Sequence, residues 1–444
     1  MTDEQDNISR HRSVPATRLG RLGSFTQLAG GIAGGVIGEG ARRLASGELP
    51  TLDQLLLTPA NARRLTDRLA HLRGAAMKLG QMISMDAGDL LPPELSDILA
   101  RLRDRADFMP PRQLDNVLTA EWGKNWRKRF RRFEPRPIAA ASIGQVHRAM
   151  LPDGRMVAIK VQYPSVAQSI DSDVDNVAAL LKLTGLLPKE LDIAPLLAAA
   201  KEQLREEADY EREGRMMTRF EAMLKNQQHF VVPTLVPELT TPRILAMSFE
   251  EGTPIEALAE KPQDLRDAVF SHLIELVGRE LFETRLMQTD PNFANYRWQA
   301  KTGRIVLLDF GATREVPESL SQEYRRLLQA GLAEDREAVL DAAVEAGFIA
   351  AKGVERHPDA MRRAVDIVVT EMSRGGPLDF GDRSFVPEIR DTVIPIAKDR
   401  ESWHLPPADT LFVQRKVSGT ALLGARLEAR VDVQSIVRNI LAST

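Results

Sequence analysis

Asp290-Pro-Asn-Phe-Ala-Asn295 is followed shortly by Ile305-Val-Leu-Leu-Asp309-Phe310-Gly311. These residue types, in this order, suit phosphoryl transfer. Asp290 can orient an attacking hydroxyl or water, while Asn295 and Asp309 can hold magnesium on nucleotide phosphates. Such chemistry also demands a cation to grip the phosphates, a carboxylate to hold that cation, and a loop that covers the nucleotide.

Val157-Ala-Ile-Lys160 supplies the cation on a strand. It forms the second arm of a hairpin whose turn is Leu151-Pro-Asp-Gly154 and whose first arm is Gly144-Gln-Val-His-Arg-Ala149. Candidates for the carboxylate lie between Glu206 and Glu213. On one regular helix Asp209 and Glu213 share a face and Glu207 points elsewhere. Ala139-Ala140-Ala141-Ser142-Ile-Gly144 stands where a glycine-rich loop is expected, and its successive Cβ atoms stiffen the chain and shift the nucleotide. After Gly311 the sequence runs almost at once into a helical pattern at 319–332, with no Ala-Pro-Glu element. Thr289, rather than arginine, precedes Asp290. Peptide docking and loop phosphorylation therefore lack their usual elements.

At 444 residues, 43% hydrophobic and 27% charged, the chain has the composition of a globular protein of roughly two or three domain-sized units. A net charge of −3 gives no global pull toward nucleic acid. The absence of cysteine excludes disulfides, thiolate metal sites and cysteine nucleophiles. Seven scattered histidines contain no HExxH pair, so magnesium held by carboxylates and phosphates is the expected metal chemistry. The start lacks the pattern of a secretory signal, and no apolar run reaches the roughly 18 residues of a spanning helix. Leu28–Gly38 is Gly-rich with small-xxx-small spacing and is flanked by Arg18, Arg21, Arg42 and Arg43. An arm docked on its own protein is favoured there over a peripheral membrane contact.

The elements that position these groups follow from periodicity. Leu65, Leu69, Leu72, Ala76, Leu79 and Ile83 draw one apolar helical face. Pro92-Pro93 and Pro110-Pro111 cut that region into short helices. Trp122, Trp126, Phe130 and Phe133 interleave with Lys124, Arg127, Lys128, Arg129, Arg131 and Arg132. A packed helix with a solvated basic face is favoured there over a nucleic-acid or membrane surface. Helices are expected at 166–186 and 194–224, and strands at 230–236, 243–249, 295–298 and 304–308. Glu251-Gly252 marks a break between lobes.

Together these residues resemble the UbiB family of atypical kinase-like proteins, also called aarF-domain-containing kinases. Its pieces match in order: Lys78-Leu-Gly-Gln81 (the KxGQ motif), Ala139-Ala-Ala-Ser-Ile-Gly-Gln-Val-His147, Val157-Ala-Ile-Lys160, Glu207-Ala-Asp209 (the ExD motif) with Glu213, Asp290 with Asn295, and Asp309-Phe-Gly311. Val14-Pro-Ala-Thr-Arg-Leu-Gly-Arg21 and Gln414-Arg-Lys-Val-Ser-Gly419 are similar to the branch that supports coenzyme Q synthesis. The resemblance implies an α+β, two-lobed protein-kinase-like fold with an N-terminal helical extension carrying KxGQ. The expected division is a polar and Gly-rich tail (1–50), the helical extension (51–135), an N-lobe (136–250) and a helical C-lobe (251–444).

The resemblance also implies ATP or ADP with Mg2+. Lys160 would bind phosphates and Glu213 would orient it, with Ala139, Ala140, Ala141 and Ser142 also at the nucleotide. Adenine would lie against Met247, Ser248, Phe249 and Glu250. Asn295 and Asp309 would bind the metal, and Asp290 would position the acceptor. Lys78 and Gln81 would project toward the nucleotide in a regulatory role, with Glu207 and Asp209 receiving their helix. The implied activity is that of an atypical kinase or ATPase supporting ubiquinone biosynthesis, with phosphoryl transfer to water or a small molecule rather than to protein. Implied partners are an isoprenoid quinone precursor or lipid, a membrane surface and a second copy of the chain, but no nucleic acid. The implied location is cytoplasmic and peripheral, on the inner face of the membrane. The family's catalytic loop usually reads Asp-Pro-His-Pro-Gly-Asn, whereas this chain has Asn292, Phe293 and Ala294 between Asp290-Pro and Asn295. That departure keeps open a second reading, a nucleotide-sensing pseudokinase scaffold without turnover. A phosphotransferase for an aminoglycoside-like molecule is disfavoured by the Ala-rich stretch and KxGQ.

Overall fold

Residues 108–183, 194–399 and 406–443 are described by the structure, a computed structural model. Lys78, Gln81, the segment 28–38 and the helical face at 65–83 lie outside the described residues. The chain divides into two compact units: Arg219–Pro233 and Glu250 onward make up the second, and the residues up to Thr218 with Thr234–Phe249 make up the first.

In the first unit, helix α1 (Pro111–Trp122) begins with proline in its first turn, where the missing N–H costs nothing. Leu114, Val117, Leu118 and Trp122 form its buried face. Gly123, at φ 83°, ends it. The aromatic segment is therefore not one helix. A 3-10 turn (Trp126–Arg129) and strand β1 (Arg132–Phe133) carry the remaining rings. The expected packing is present: Trp122 and Phe130 lie 5.4 Å apart and Trp126 and Phe133 5.0 Å, while Lys124, Arg127, Lys128, Arg129, Arg131 and Arg132 are exposed.

Strands β2 (Ala139–Ala141), β3 (Gly144–Met150) and β4 (Met156–Gln162) follow. After them come helices α2 (Val166–Leu183), α3 (Ala194–Glu207) and α4 (Tyr210–Leu224), then strands β5 (Phe230–Val231) and β6 (Ile244–Ser248). The antiparallel sheet has the order β1-β3-β4-β6, with β2 also on β3. Alternation along β4 sends Val157, Ile159 and Val161 into the core with Trp122, Trp126, Phe130 and Ile244. Ala158, Lys160 and Gln162 face the other way. The strands expected at 230–236 and 243–249 are shorter than the sequence suggests, and β5 pairs in the second unit, parallel to β10 (Arg304–Leu307).

The second unit continues with β7 (Thr253–Pro254), helix α5 (Gln263–Gly278), a π-turn (Arg279–Glu283), β8 (Leu286–Gln288), β9 (Tyr296–Gln299), β10 and β11 (Thr313–Glu315). Helices α6 (Glu318–Leu332), α7 (Arg336–Glu345), α8 (Ala351–Arg356) and α9 (Pro358–Met372) precede β12 (Leu378–Asp379). Then come α10 (Val386–Lys398), α11 (Ala408–Leu427), β13 (Arg430–Val431) and α12 (Val433–Ser443). Leu281, Met287, Val316, Leu320, Tyr324 and Val413 pack a core beside the β8–β11 pair. Among the described residues no helix is long and apolar enough to cross a membrane.

Candidate functional site

Lys160 sits in the middle of the sheet, opposite Val146 on β3 and Leu245 on β6. Directly paired residues share a face, so Ala139, Val146, Ala158, Lys160 and Met247 lie on the side away from the aromatic core. The ammonium reaches both oxygens of Glu213, at 2.8 and 2.9 Å. It also lies 5.1 Å from the Tyr210 ring. Glu213 is fully buried and Lys160 only 6% exposed, so each charge needs the other.

The expected single helix over 194–224 breaks at Ala208-Asp209, and the break decides which carboxylate serves the lysine. Gln162 Nε2 on β4 donates to the Ala208 carbonyl at 2.6 Å. Asp209 accepts from the Arg212 N–H at 2.8 Å, capping α4. Glu213, in the first turn of the new helix, then meets Lys160. Glu207, in the last turn of α3, accepts from Ser142 Oγ at 3.0 Å. The two acidic residues thus act on different partners within one unit.

Gln145 and His147, on the core face of β3, form a neutral network. Gln145 Oε1 accepts the Met109 N–H at 2.8 Å, its amide nitrogen meets His147 Nε2 at 2.8 Å, and His147 Nδ1 meets the Glu134 carbonyl at 2.9 Å. With Gln145 donating, His147 accepts at Nε2 and carries its proton on Nδ1. Burial lowers its pKa from 6.5 to about 4, against the opposing pull of the Glu134 carbonyl. Met247 is buried, the Ser248 hydroxyl accepts the Thr234 N–H at 3.0 Å, and the Arg148 guanidinium lies 5.7 Å from the Phe249 ring. Glu250 belongs to the second unit.

Asn295, Asp290 and Asp309 are brought together in the second unit by two ladders. β9 and β10 pair antiparallel with Tyr296 opposite Leu307, and the Leu308 N–H donates to the Asn295 carbonyl at 3.0 Å. Asn295 and Asp309 therefore stand at the same end of one hairpin and line one small cavity. β8 and β11 pair with Gln288 opposite Thr313, and the Thr289 hydroxyl donates to the Ala312 carbonyl at 2.7 Å. Asp309 Oδ1 accepts the Gly311 N–H at 3.0 Å, and Phe310 is buried 5.1 Å from Phe220. Asn292 accepts the Ala294 N–H at 3.1 Å and caps the short turn Phe293–Asn295. The Asn295 amide donates to the Asp290 carbonyl at 3.3 Å. The unusual residues of the loop thus hold a closed turn.

Behind this loop lies a cluster that motif reading did not find. Lys416 Nζ reaches Glu280 at 3.1 Å, the Tyr296 hydroxyl at 3.1 Å and Gln288 Oε1 at 3.4 Å. Burial alone would lower the lysine's pKa, but Glu280 and Tyr296 outweigh it and hold the ammonium charged. Burial pushes the Glu280 carboxyl up, against the pull of Lys416. The only signal in the sequence is the 414–419 segment, which names Lys416 but none of its partners.

A family model for the ABC1 atypical kinase-like domain matches residues 101–343. The chain belongs to that family. This ABC1 atypical kinase-like protein is 37% identical to the mitochondrial atypical kinase COQ8 of Saccharomyces cerevisiae, over 99% of this chain and 88% of that one. It is 38% identical to the mitochondrial atypical kinase COQ8B of Rattus norvegicus, over 97% of this chain and 82% of that one. Among solved structures it is similar to the Rv3197–erythromycin complex from Mycobacterium tuberculosis, with a TM-score of 0.61 and 25% identity, covering 86% and 95% of the two chains. It stands with the COQ8 atypical kinases, and its kinase-like fold of mixed helices and sheets agrees with the sequence expectation.

The residues present fit a magnesium nucleotide. Among the described residues no group of three or more His, Asp or Glu side chains is arranged to hold a metal ion. Asn295 and Asp309 would supply two oxygen donors to such a cation, leaving its remaining ligands to phosphate and water.

Proposed function

We propose that the protein is an ATP- and magnesium-dependent atypical kinase or ATPase supporting ubiquinone biosynthesis, acting on or beside lipid-soluble precursors rather than on protein. The observation that carries this reading is the buried Lys160–Glu213 pair, with the carboxylate oxygens 2.8 and 2.9 Å from the ammonium. Lys160 would grip phosphate, with Glu213 fixing its direction. Ala139, Ala140, Ala141 and Ser142 would border the phosphates, and Met247 through Glu250 the base. Asn295 and Asp309 would hold magnesium. Bound MgATP supplies the transferable phosphoryl group. Asp290 would accept the proton of the incoming hydroxyl or water. Lys78 and Gln81 would meet Glu207 and Asp209 in regulation.

An anionic membrane surface would be a further partner, as the family resemblance implies, while the exposed cations between Lys124 and Arg132 read as a solvated face over the packed rings. The chain would work peripherally from the cytoplasmic side, with homodimerisation as a further expectation.

Hydrolysis of ATP by the purified chain tests the mechanism. Asp309→Asn is expected to reduce it by about 100-fold or more, and unchanged hydrolysis would sink the assignment. Tight nucleotide binding without turnover, even with lipid and a phenolic precursor present, would select the scaffold reading. In cells lacking the protein, wild type but not Asp309→Asn is expected to restore ubiquinone. An unaltered quinone profile in those cells would remove the biosynthetic role.

A further inference from the structure

Lys416 is 2% exposed and Glu280 fully buried, deep in the second unit. An ammonium has three hydrogens to donate, and here they meet Glu280, Tyr296 and Gln288. Each partner sits at a strategic place on the chain. Glu280 lies in the π-turn that follows α5, on the approach to the catalytic loop. Gln288 ends β8, and its amide donates to the Asp290 carbonyl at 2.9 Å. Tyr296 begins β9 directly after Asn295. One buried cation therefore ties the chain before Asp290 to the chain after Asn295.

A further contact comes from the same helix. A Cβ at Gly419 would fall 2.0 Å from the Pro291 Cβ, so α11 approaches the catalytic loop at a distance only glycine permits. Lys416 also lines the cavity that holds Asn295 and Asp309. A buried ion pair is a poor source of net stability, because well-packed apolar replacements are often as good or better. Fixing a loop needs direction, and hydrogen bonds to Gln288 and Tyr296 supply it.

We propose that Lys416, anchored by Glu280, is a positioning residue that sets the geometry of the loop Asp290–Asn295, and through it the affinity of Asn295 and Asp309 for magnesium on a bound nucleotide. This rests on the metal role given to those two residues above. Groups that orient metal ligands from behind typically change metal affinity by about 10- to 100-fold.

The test uses the full chain as wild type, Lys416→Met, the double variant Lys416→Met/Glu280→Met, and Tyr296→Phe. Thermal unfolding without ligand reads folding. Calorimetric titration of ADP at stepped Mg2+ concentrations reads the metal without requiring turnover. Lys416→Met is expected to melt early, and the double variant near wild type. In both, the Mg2+ needed for half-maximal ADP binding rises about tenfold. Tyr296→Phe keeps the packing and shifts the Mg2+ requirement in the same direction by a smaller factor, and it decides the matter if the double variant does not fold. Recovery of both melting temperature and wild-type Mg2+ dependence in the double variant overturns the proposal, as does an unshifted Tyr296→Phe. ADP binding by wild type that ignores Mg2+ would instead remove the metal assignment itself, and this proposal with it.

Discussion

The two units each bury a lysine–glutamate pair, and the pairs are built for different work. Lys160 holds a single carboxylate by both oxygens, at 2.8 and 2.9 Å, from the centre of a sheet. Lys416 spreads its ammonium over Glu280, the Tyr296 hydroxyl and Gln288 at 3.1 to 3.4 Å. Two of those three partners are neutral and flank the catalytic loop. A pair closed on one carboxylate aims the lysine itself, as the proposed contact with phosphate would require. A cation shared among several chain segments aims its partners.

Removing one carboxylate at a time puts that contrast under the largest strain. Glu213→Ala and Glu280→Ala each leave a buried ammonium without its counter-charge, and each is expected to cost about 3–5 kcal/mol of stability. Urea unfolding checks both. The rescues should differ: Lys160→Met added to Glu213→Ala restores stability but not nucleotide affinity, whereas Lys416→Met added to Glu280→Ala restores stability and leaves nucleotide affinity at saturating Mg2+ close to wild type. Equal losses of affinity in the two double variants would erase the distinction.

A neutral network offers a separate control, because burial moves the His147 titration on folding. His147 has a folded-state pKa of about 4, below its ordinary 6.5, so folding favours the uncharged ring. Its contribution is complete above pH 6.5 and drains away as pH falls to about 4. At roughly 1.4 kcal/mol per unit the whole window is worth about 3 kcal/mol. Urea unfolding from pH 7 down to pH 4.5 should therefore show a shallower loss for His147→Gln than for wild type. Parallel curves would mean that His147 contributes none of the acid sensitivity.

The asymmetry between the pairs also explains what could be read from the chain. Lys160 is legible because Val157-Ala-Ile-Lys160 is a local pattern on an alternating strand behind a strong turn. Asn295 and Asp309 are legible for the same reason, since both flank one hairpin. Glu213 could not be chosen from its neighbours by spacing alone. The choice depends on a helix break fixed by Gln162, a residue 46 positions from the Ala208 carbonyl it holds. Lys416 is harder still: its partners lie 120, 128 and 136 positions away, and no periodicity links them. The aromatic segment 122–133 was legible as packing but not as one helix, because Gly123 turns the chain between the first two rings.

The smallest effect concerns the carboxylate the helix break left behind. Glu207 is nearly buried and accepts from Ser142 Oγ at 3.0 Å, beside the Ala-rich strand. A hydrogen bond to a charged group is worth about 1.5 kcal/mol at the lower end of its range, so Ser142→Ala should lower stability by that amount. Glu213 and Lys160 are untouched by the change. Circular dichroism melts would give the stability loss and ADP titration the affinity. If Glu207 and Glu213 act separately, as the break at Ala208-Asp209 requires, the melt moves while the contribution of Lys160 to affinity stays constant. That contribution is measured as the difference between Lys160→Met in the wild-type and Ser142→Ala backgrounds. A changed difference would couple the two carboxylates and make the acidic run one functional unit rather than two.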